Sequence, residues 1–213
     1  MTLTPEESRV LGVLIEKETT TPDQYPLSLN AIVNGCNQKN NRDPVLSLEE
    51  PAVYAAVEGL RAKKLLVLVD QLGSRVNKYR HTAADALRVR GASLAILAEL
   101  LLRGPQTLGE LRGRASRMAP LESLDAVKDS LRIMMQEADP LVRELPPAPG
   151  SRAERYAQLL CPEEAPAQSV VVQTSPNVAS GDSSLASRVE SLELEVSRLK
   201  DIVERLESAR PAT

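Results

Sequence analysis

The run Gly73-Ser74-Arg75-Val76-Asn77-Lys78-Tyr79 returns 77 positions later as Gly150-Ser151-Arg152-Ala153-Glu154-Arg155-Tyr156. Two further matches lie in the same order. Pro26-Leu27-Ser28-Leu29-Asn30-Ala31-Ile32 pairs with Pro105-Gln106-Thr107-Leu108-Gly109-Glu110-Leu111 at an offset of 79, and Val53, Val57 and Leu60 pair with Val127, Leu131 and Met134 at an offset of 74. Ordered matches at a nearly constant offset mark a duplicated unit. A chain of 213 residues has room for one large or two small domains. The duplication favours two, over residues 1–90 and 91–161.

In the first unit Thr4 is a helix N-cap, Pro5 takes the first helical position and Glu7 completes a capping box. Val10, Leu11, Leu14 and Ile15 then line one helical face. A second helix starts at Ser28, turns Leu29, Ile32 and Val33 inward, and ends at Asn34-Gly35. A third begins near Pro51 with Val53, Val57 and Leu60 on its buried face. The period then changes from 3.6 to 2. Leu66 and Leu68 alternate with Val67 and Val69 in a strand that turns at Gly73-Ser74 and returns through Lys78-Tyr79-Arg80-His81.

The second unit repeats the order. Ser93 caps a helix running to Arg103, Thr107 caps one from Leu108 to Met118, Ser123 or Leu124 opens one to about Glu137, and 141–145 with 155–160 form a hairpin. Three helices followed by a hairpin is the winged variant of the helix-turn-helix. Its second and third helices form the motif and the hairpin is the wing; any other small α+β module is the alternative. The expected fold class is mainly α within α+β, with two tandem winged helix-turn-helix domains followed by a C-terminal coiled-coil helix.

Formal charge differs by segment: +1 over 1–90, 0 over 91–161 and −4 over 162–213. The acidic tail opens with Pro162-Glu163-Glu164-Ala165-Pro166 and runs to Ser180-Gly181-Asp182-Ser183-Ser184, too poor in apolar residues to order itself, so 162–184 reads as a flexible linker. Over 185–209 Leu185, Val189, Leu192, Val196, Leu199, Val203 and Leu206 are spaced 4, 3, 4, 3, 4, 3. This is a heptad seam with Val at a and Leu at d, which favours a parallel homodimer. Arg188 then faces Glu193 of the partner subunit, and Glu195 faces Lys200 of the partner subunit. The other reading folds this helix back onto its own domains, because about three heptads are only marginally stable alone.

The runs Thr21-Pro22-Asp23-Gln24-Tyr25-Pro26-Leu27-Ser28 and Cys36-Asn37-Gln38-Lys39-Asn40-Asn41-Arg42-Asp43-Pro44-Val45 resemble the YceH-like family of uncharacterised bacterial proteins. So does the stretch from Leu102-Arg103-Gly104-Pro105-Gln106-Thr107 through Glu110-Leu111-Arg112 to Arg117-Met118. The resemblance covers most of the chain and implies a tandem winged-helix fold. It implies no activity, cofactor or catalytic residue.

Catalytic chemistry has little to work with. The sequence lacks a phosphate-cradling Gly-rich loop, a His-Glu-x-x-His and a Gly-x-Ser-x-Gly elbow, and its one histidine, His81, falls on a wing strand beside Arg80. Glu6, Glu7, Glu49, Glu50 and Glu58 fall at helix starts or on polar faces, where the helix dipole and solvation account for them. Cys36 and Cys161 are too far apart, and too isolated from His, to indicate zinc or a disulfide framework, so both read as small buried thiols. Neither an enzyme nor a cofactor is expected. With no Trp or Phe and four Tyr, base stacking on single strands is disfavoured. The opening Met1-Thr2-Leu3-Thr4-Pro5 resembles no secretory signal, and the longest apolar block, 94–102, is broken by Glu99 and too short for a membrane span. A cytoplasmic protein without membrane contact is expected.

Duplex DNA is the partner this pattern allows. Asn37, Gln38, Lys39, Asn40 and Arg42 occupy the turn between the second and third helices, and Asn, Gln, Lys and Arg are the types that bond bases and phosphates. Arg75, Lys78 and Arg80 on the first wing and Arg152 and Arg155 on the second add phosphate contacts. Arg112, Arg114 and Arg117 make the second helix of the second unit basic. Two features pull the other way: the third helices open with Glu49-Glu50 and with Glu122 and Asp125, and neither unit carries a basic excess. Turn and cap hydrogen bonds from the Asn residues, with Arg42 paired to Asp43 or Glu49, would give the same sequence. A protein-interaction scaffold on the same fold, with a protein partner in place of DNA, is the alternative.

Overall fold

Helix α1, Pro5–Thr20, starts at a closed capping box: the Glu7 amide donates to Thr4 Oγ1 at 3.2 Å and the Thr4 amide to Glu7 Oε2 at 2.8 Å. The computed structural model describes residues 1–69, 76–148 and 150–161. The linker expected at 162–184, the seam expected at 185–209 and Arg75 lie outside the described residues.

From the first cap the chain runs through α2 (Leu29–Cys36), α3 (Glu50–Ala62), α4 (Ala83–Ala86), α5 (Gly91–Arg103), α6 (Leu108–Ala115) and α7 (Leu124–Gln136). Among the described residues six strands lie between and after them: β1 (Leu27–Ser28), β2 (Leu66–Val69), β3 (Lys78–His81), β4 (Gln106–Thr107), β5 (Val142–Leu145) and β6 (Arg155–Gln158). The structure is mixed α and β, with about half of the described residues helical and two small sheets.

The duplication is visible in the sheets. One has the order β1-β3-β2 and the other β4-β6-β5, all pairs antiparallel. Tyr79 pairs with Leu27 and Leu68, and Tyr156 with Gln106 and Glu144, so the two tyrosines hold the same place on the central strands. The two-residue strands β1 and β4 carry no period-2 pattern of their own, and sequence reading misses both.

Three local expectations need correction. First, α1 buries every residue from Glu7 to Glu16 and not one face alone, because α3 packs on one side and α5 on the other. A Cβ on Gly12 would stand 2.9 Å from Leu102 Cγ, so the close approach of α1 and α5 depends on this glycine. Second, α2 does not stop at Asn34-Gly35. Gly35 is helical and buried, where a Cβ would lie 2.6 Å from Val13 Cγ1, and the helix ends after Cys36. Its last carbonyls find donors in two arginines: Arg42 Nε reaches Gly35 O at 3.0 Å and Arg9 Nη1 reaches Cys36 O at 3.1 Å. Third, Ser93 does not cap α5. It lies inside the helix, buried, after an N-cap at Arg90.

The buried apolar side chains of both halves join in one cluster, with Leu11, Leu14, Leu60, Ile96, Leu97, Leu111 and Leu131 fully enclosed. Replacing one such leucine by alanine costs about 2–5 kcal/mol. No described helix is long and apolar enough to cross a membrane.

Candidate nucleic-acid interface

The turn after α2 spends most of its polar groups on itself. Asn37 Nδ2 donates to the Leu48 carbonyl at 2.8 Å and Asn37 Oδ1 accepts the Leu48 amide at 2.7 Å, a two-bond clasp that closes the loop leading to α3. Asn41 has φ 59°, the left-handed region Asn tolerates, and accepts from Arg103 Nη2 at 2.6 Å. Gln38 Oε1 accepts from Arg42. Lys39 and Asn40 remain exposed.

Arg42 is turned inward and not toward solvent. Its side chain is fully buried and pairs with Glu16 of α1 at 2.5 and 3.1 Å, with further bonds to the Gly35 and Asn41 carbonyls and to Gln38 Oε1. Neither Asp43 nor Glu49 is its partner. Arg117 extends the cluster: Nη1 lies 2.5 Å from Glu16 Oε1 and Nη2 2.5 Å from Glu99 Oε1 of α5. Arg103 Nε approaches Glu99 Oε2 at 3.3 Å without hydrogen-bond alignment. The cluster thus links α1 and the loop after α2 with α5 and the turn after α6.

Burial by itself raises the pKa of Glu16. Hydrogen bonds and charge from Arg42, with Arg117 behind it, outweigh that and hold the carboxyl below its ordinary range. Arg117 is the mirror case, since burial weakens its charged form but Glu99 and Glu16 strengthen it to a net upward shift. Sequence reading missed this cluster, although a signal exists. Leu11-Gly12-Val13-Leu14-Ile15-Glu16 and Leu94-Ala95-Ile96-Leu97-Ala98-Glu99 match at an offset of 83, placing one glutamate at the same point of each repeat.

Arg112 Nη2 donates to the Glu122 carbonyl at 3.0 Å, and Arg114 reaches Gln106 Oε1 at 2.8 Å and Glu110 at 3.3 Å. The outward faces of the third helices are neutralised within themselves, by Arg61 with Glu58 on α3 and by Lys128 with Asp125 and Arg132 with Asp129 on α7. Tyr54 on α3 and Ile133 on α7 stand beside these pairs, 49% and 54% exposed.

The hairpins are different. Cross-strand partners share one face of a sheet. In the first hairpin the rows Leu66–His81 and Leu68–Tyr79 hold the buried residues, so Val67–Arg80 and Val69–Lys78 face outward. In the second, Val142–Gln158 and Glu144–Tyr156 are the inner rows and Arg143–Ala157 and Leu145–Arg155 the outer ones. Every outer row pairs one cation with one apolar residue. Ala157 is itself buried, sharing a recess of about 90 Å³ with Gly104 and Pro105, so this second face is the more covered of the two. Arg80, Arg143 and Arg152 are exposed, and Lys78 and Arg155 partly so. Sequence reading passed over Arg143, although its alternation with Val142 and Glu144 supplies the signal.

His81 sits on an inner row. Its Nε2 lies 2.9 Å from Glu18 Oε2, its Nδ1 accepts the Ala83 amide at 3.2 Å, and its own amide donates to Tyr25 Oη at 2.9 Å. Cys36 and Cys161 are both buried, and burial pushes the Cys36 thiol up to about 12. Among the described residues no group of three His, Cys, Asp or Glu is placed to hold a metal ion.

Residues 3–161 match the family model described as "Protein of unknown function, DUF480". The chain belongs to this family. It is 53% identical over 163 residues to a UPF0502 protein of Geotalea daltonii, covering 76% of this chain and 74% of that one. The UPF0502 protein of Geobacter sulfurreducens is 49% identical over 195 residues, 91% of this chain and 88% of its own. That of Shewanella halifaxensis is 42% identical over 216 residues, 97% of this chain and 99% of its own. These names state neither an activity nor a partner.

Proposed function

We propose that this DUF480 protein is a non-enzymatic, cytoplasmic factor of two winged helix-turn-helix domains that binds duplex DNA, and that its hairpins rather than its third helices contact the phosphates. The paired helices α2–α3 and α6–α7, each followed by a hairpin, support the winged-helix reading, which the YceH-like resemblance also implies. The observation that carries the DNA reading is the outer face of each hairpin, where two cations stand beside two apolar residues. Phosphate contacts of this kind position a protein on a duplex without reading its sequence. Lys39, Asn40, Arg112 and Arg152 are other exposed members of the surface, and Arg75 joins them by its place in the sequence. Arg42 is enclosed in the ion cluster and drops out of it, and Arg117, at the exposed edge of the cluster, is held by Glu16 and Glu99.

Fluorescence anisotropy with a random duplex across a salt series tests this. Binding at about 50 mM salt that falls steeply as salt rises is the expected result. Absence of binding there transfers the proposal to the second reading, a protein-interaction scaffold, which the self-neutralised faces of α3 and α7 with exposed Tyr54 and Ile133 favour. In either reading the Val/Leu seam of 185–206 makes a parallel homodimer. Sedimentation velocity should find a dimer for the full chain and a monomer, or a weaker dimer, both for a chain cut after Cys161 and for Val196→Asp. A monomeric full chain at tens of micromolar would contradict it.

A further inference from the structure

Among the described residues, the buried Glu7, Glu16, Arg42 and Glu99 each have a side chain of opposite charge within 4.0 Å: Lys63, Arg42, Glu16 and Arg117. Arg9 on α1 is the exception. It is 3% exposed, and its guanidinium donates from Nη1 to the Cys36 carbonyl at 3.1 Å and from Nη2 to the Pro44 carbonyl at 2.7 Å. Two carbonyls occupy part of a five-donor fork and supply no counter-charge. Burial first, and then the neighbouring Arg42, weaken the charged form, against smaller help from Cys36 and the exposed Asp43. A buried charge without an ion pair is costly, and native proteins rarely leave one unmatched.

Arg9 also lines a cleft of about 540 Å³. Leu3, Leu46, Leu100 and Leu101 supply apolar walls, and Gln158 and the exposed Asp43 also line it. A concave, mostly apolar space of this size with a few converging polar groups is the usual form of a small-molecule site.

We propose that this cleft binds a small organic acid, its carboxylate set against Arg9 and a short apolar tail against Leu46, Leu100 and Leu101. The charge that the fold leaves unmatched selects the head group, and the walls select the tail. An amine or a neutral alcohol of the same length satisfies only the walls. Because Arg9 and Leu46 come from the first repeat and Leu100, Leu101 and Gln158 from the second, a bound acid bridges the two repeats. This site stands independently of the nucleic-acid reading.

The test is calorimetric titration of the full chain with hexanoate, hexanol and hexylamine, alongside thermal unfolding with each. Hexanoate should bind about tenfold or more tightly than hexanol and raise the unfolding midpoint, and hexylamine should do neither. Arg9→Met should remove the preference for hexanoate over hexanol. Since that substitution strips donors from two carbonyls and can unfold the chain, Leu46→Trp serves as the second variant: it fills the cleft, leaves Arg9 in place and should abolish hexanoate binding. Equal affinity of the wild type for hexanoate and hexanol, or no hexanoate binding at about 10 mM, overturns the proposal. Undiminished hexanoate binding in Leu46→Trp, or in a folded Arg9→Met, overturns it as well.

Discussion

The two repeats build the same sheet from different side chains. Tyr79 and Tyr156 correspond, yet the residues facing them are Leu27 and Leu68 in the first repeat and Gln106 and Glu144 in the second. His81 of the first repeat has Gln158 as its counterpart. Where Leu27 has become Gln106 the buried amide finds a partner, Nε2 donating to the Glu99 carbonyl at 3.1 Å, and Gln158, in the place of His81, bonds Cys161 twice. The outer rows keep one cation and one apolar residue each, even where the cation has changed strand, from Arg80 on the second strand of its hairpin to Arg143 on the first. Packing fixes position more strictly than chemistry, and the outer pattern persists although Ala157 alone among its residues is buried.

The matched glutamates sharpen the contrast. Glu16 holds Arg42, whose side chain is wholly enclosed, whereas the partners of Glu99, Arg103 and Arg117, keep 18% and 28% of their side chains in water. Glu16→Ala therefore strands a buried guanidinium and should cost about 3–5 kcal/mol in urea unfolding, while Glu99→Ala lets its arginines rehydrate and should cost about half as much. Equal losses would erase the distinction between the two halves.

Gly12 and Ala95 occupy matched places on α1 and α5. Making the first repeat resemble the second by Gly12→Ala should cost about 1–3 kcal/mol, because the new methyl meets Leu102, which is fully buried and has nowhere to move. Thermal unfolding measures it, and a neutral or stabilising result would mean that α1 and α5 can separate at little cost.

The third comparison exchanges His81 for the residue its counterpart already is. His81 is held neutral by burial, against the opposing pull of Glu18, with Arg80 adding to the downward shift from its ordinary 6.5. Its Nδ1 accepts the Ala83 amide, so a proton there would break that bond. The unfolded chain takes up the proton first as pH falls, so the stability from neutral His81 is complete above about 6.5 and is lost progressively below it. Wild-type melting should drop between about pH 7.5 and pH 5.5 more than that of His81→Gln. Parallel curves would show that Gln158 and His81 are electrostatically equivalent.

Helices with a cap and a periodic face were legible in the sequence: Thr4, Ser28, Thr107 and Ser123 each cap where their patterns indicate. Both hairpins were legible, the first as a change of period and the second as its repeat. The two-residue strands were not, because two residues hold no period, and α1 concealed its full burial because Arg9 and Glu16 look like surface residues until Arg42, Cys36 and Pro44 close over them. For the same reason the candidate interface was half legible. Charge marks an arginine as available, but only the fold tells whether a carboxylate 26 residues away has claimed it.

The salt dependence of duplex binding, measured for the wild type and for Lys78→Ala/Arg80→Ala, Arg143→Ala/Arg155→Ala and all four together, addresses the hairpins most directly. Each cation removed from a phosphate should flatten the slope of log affinity against log salt by about 0.9. The first pair should therefore remove up to about 1.8, the second less because its face is partly covered, and the quadruple variant most of the slope. Binding that persists in the quadruple variant with an unchanged slope would contradict the account and place the phosphates away from the hairpins.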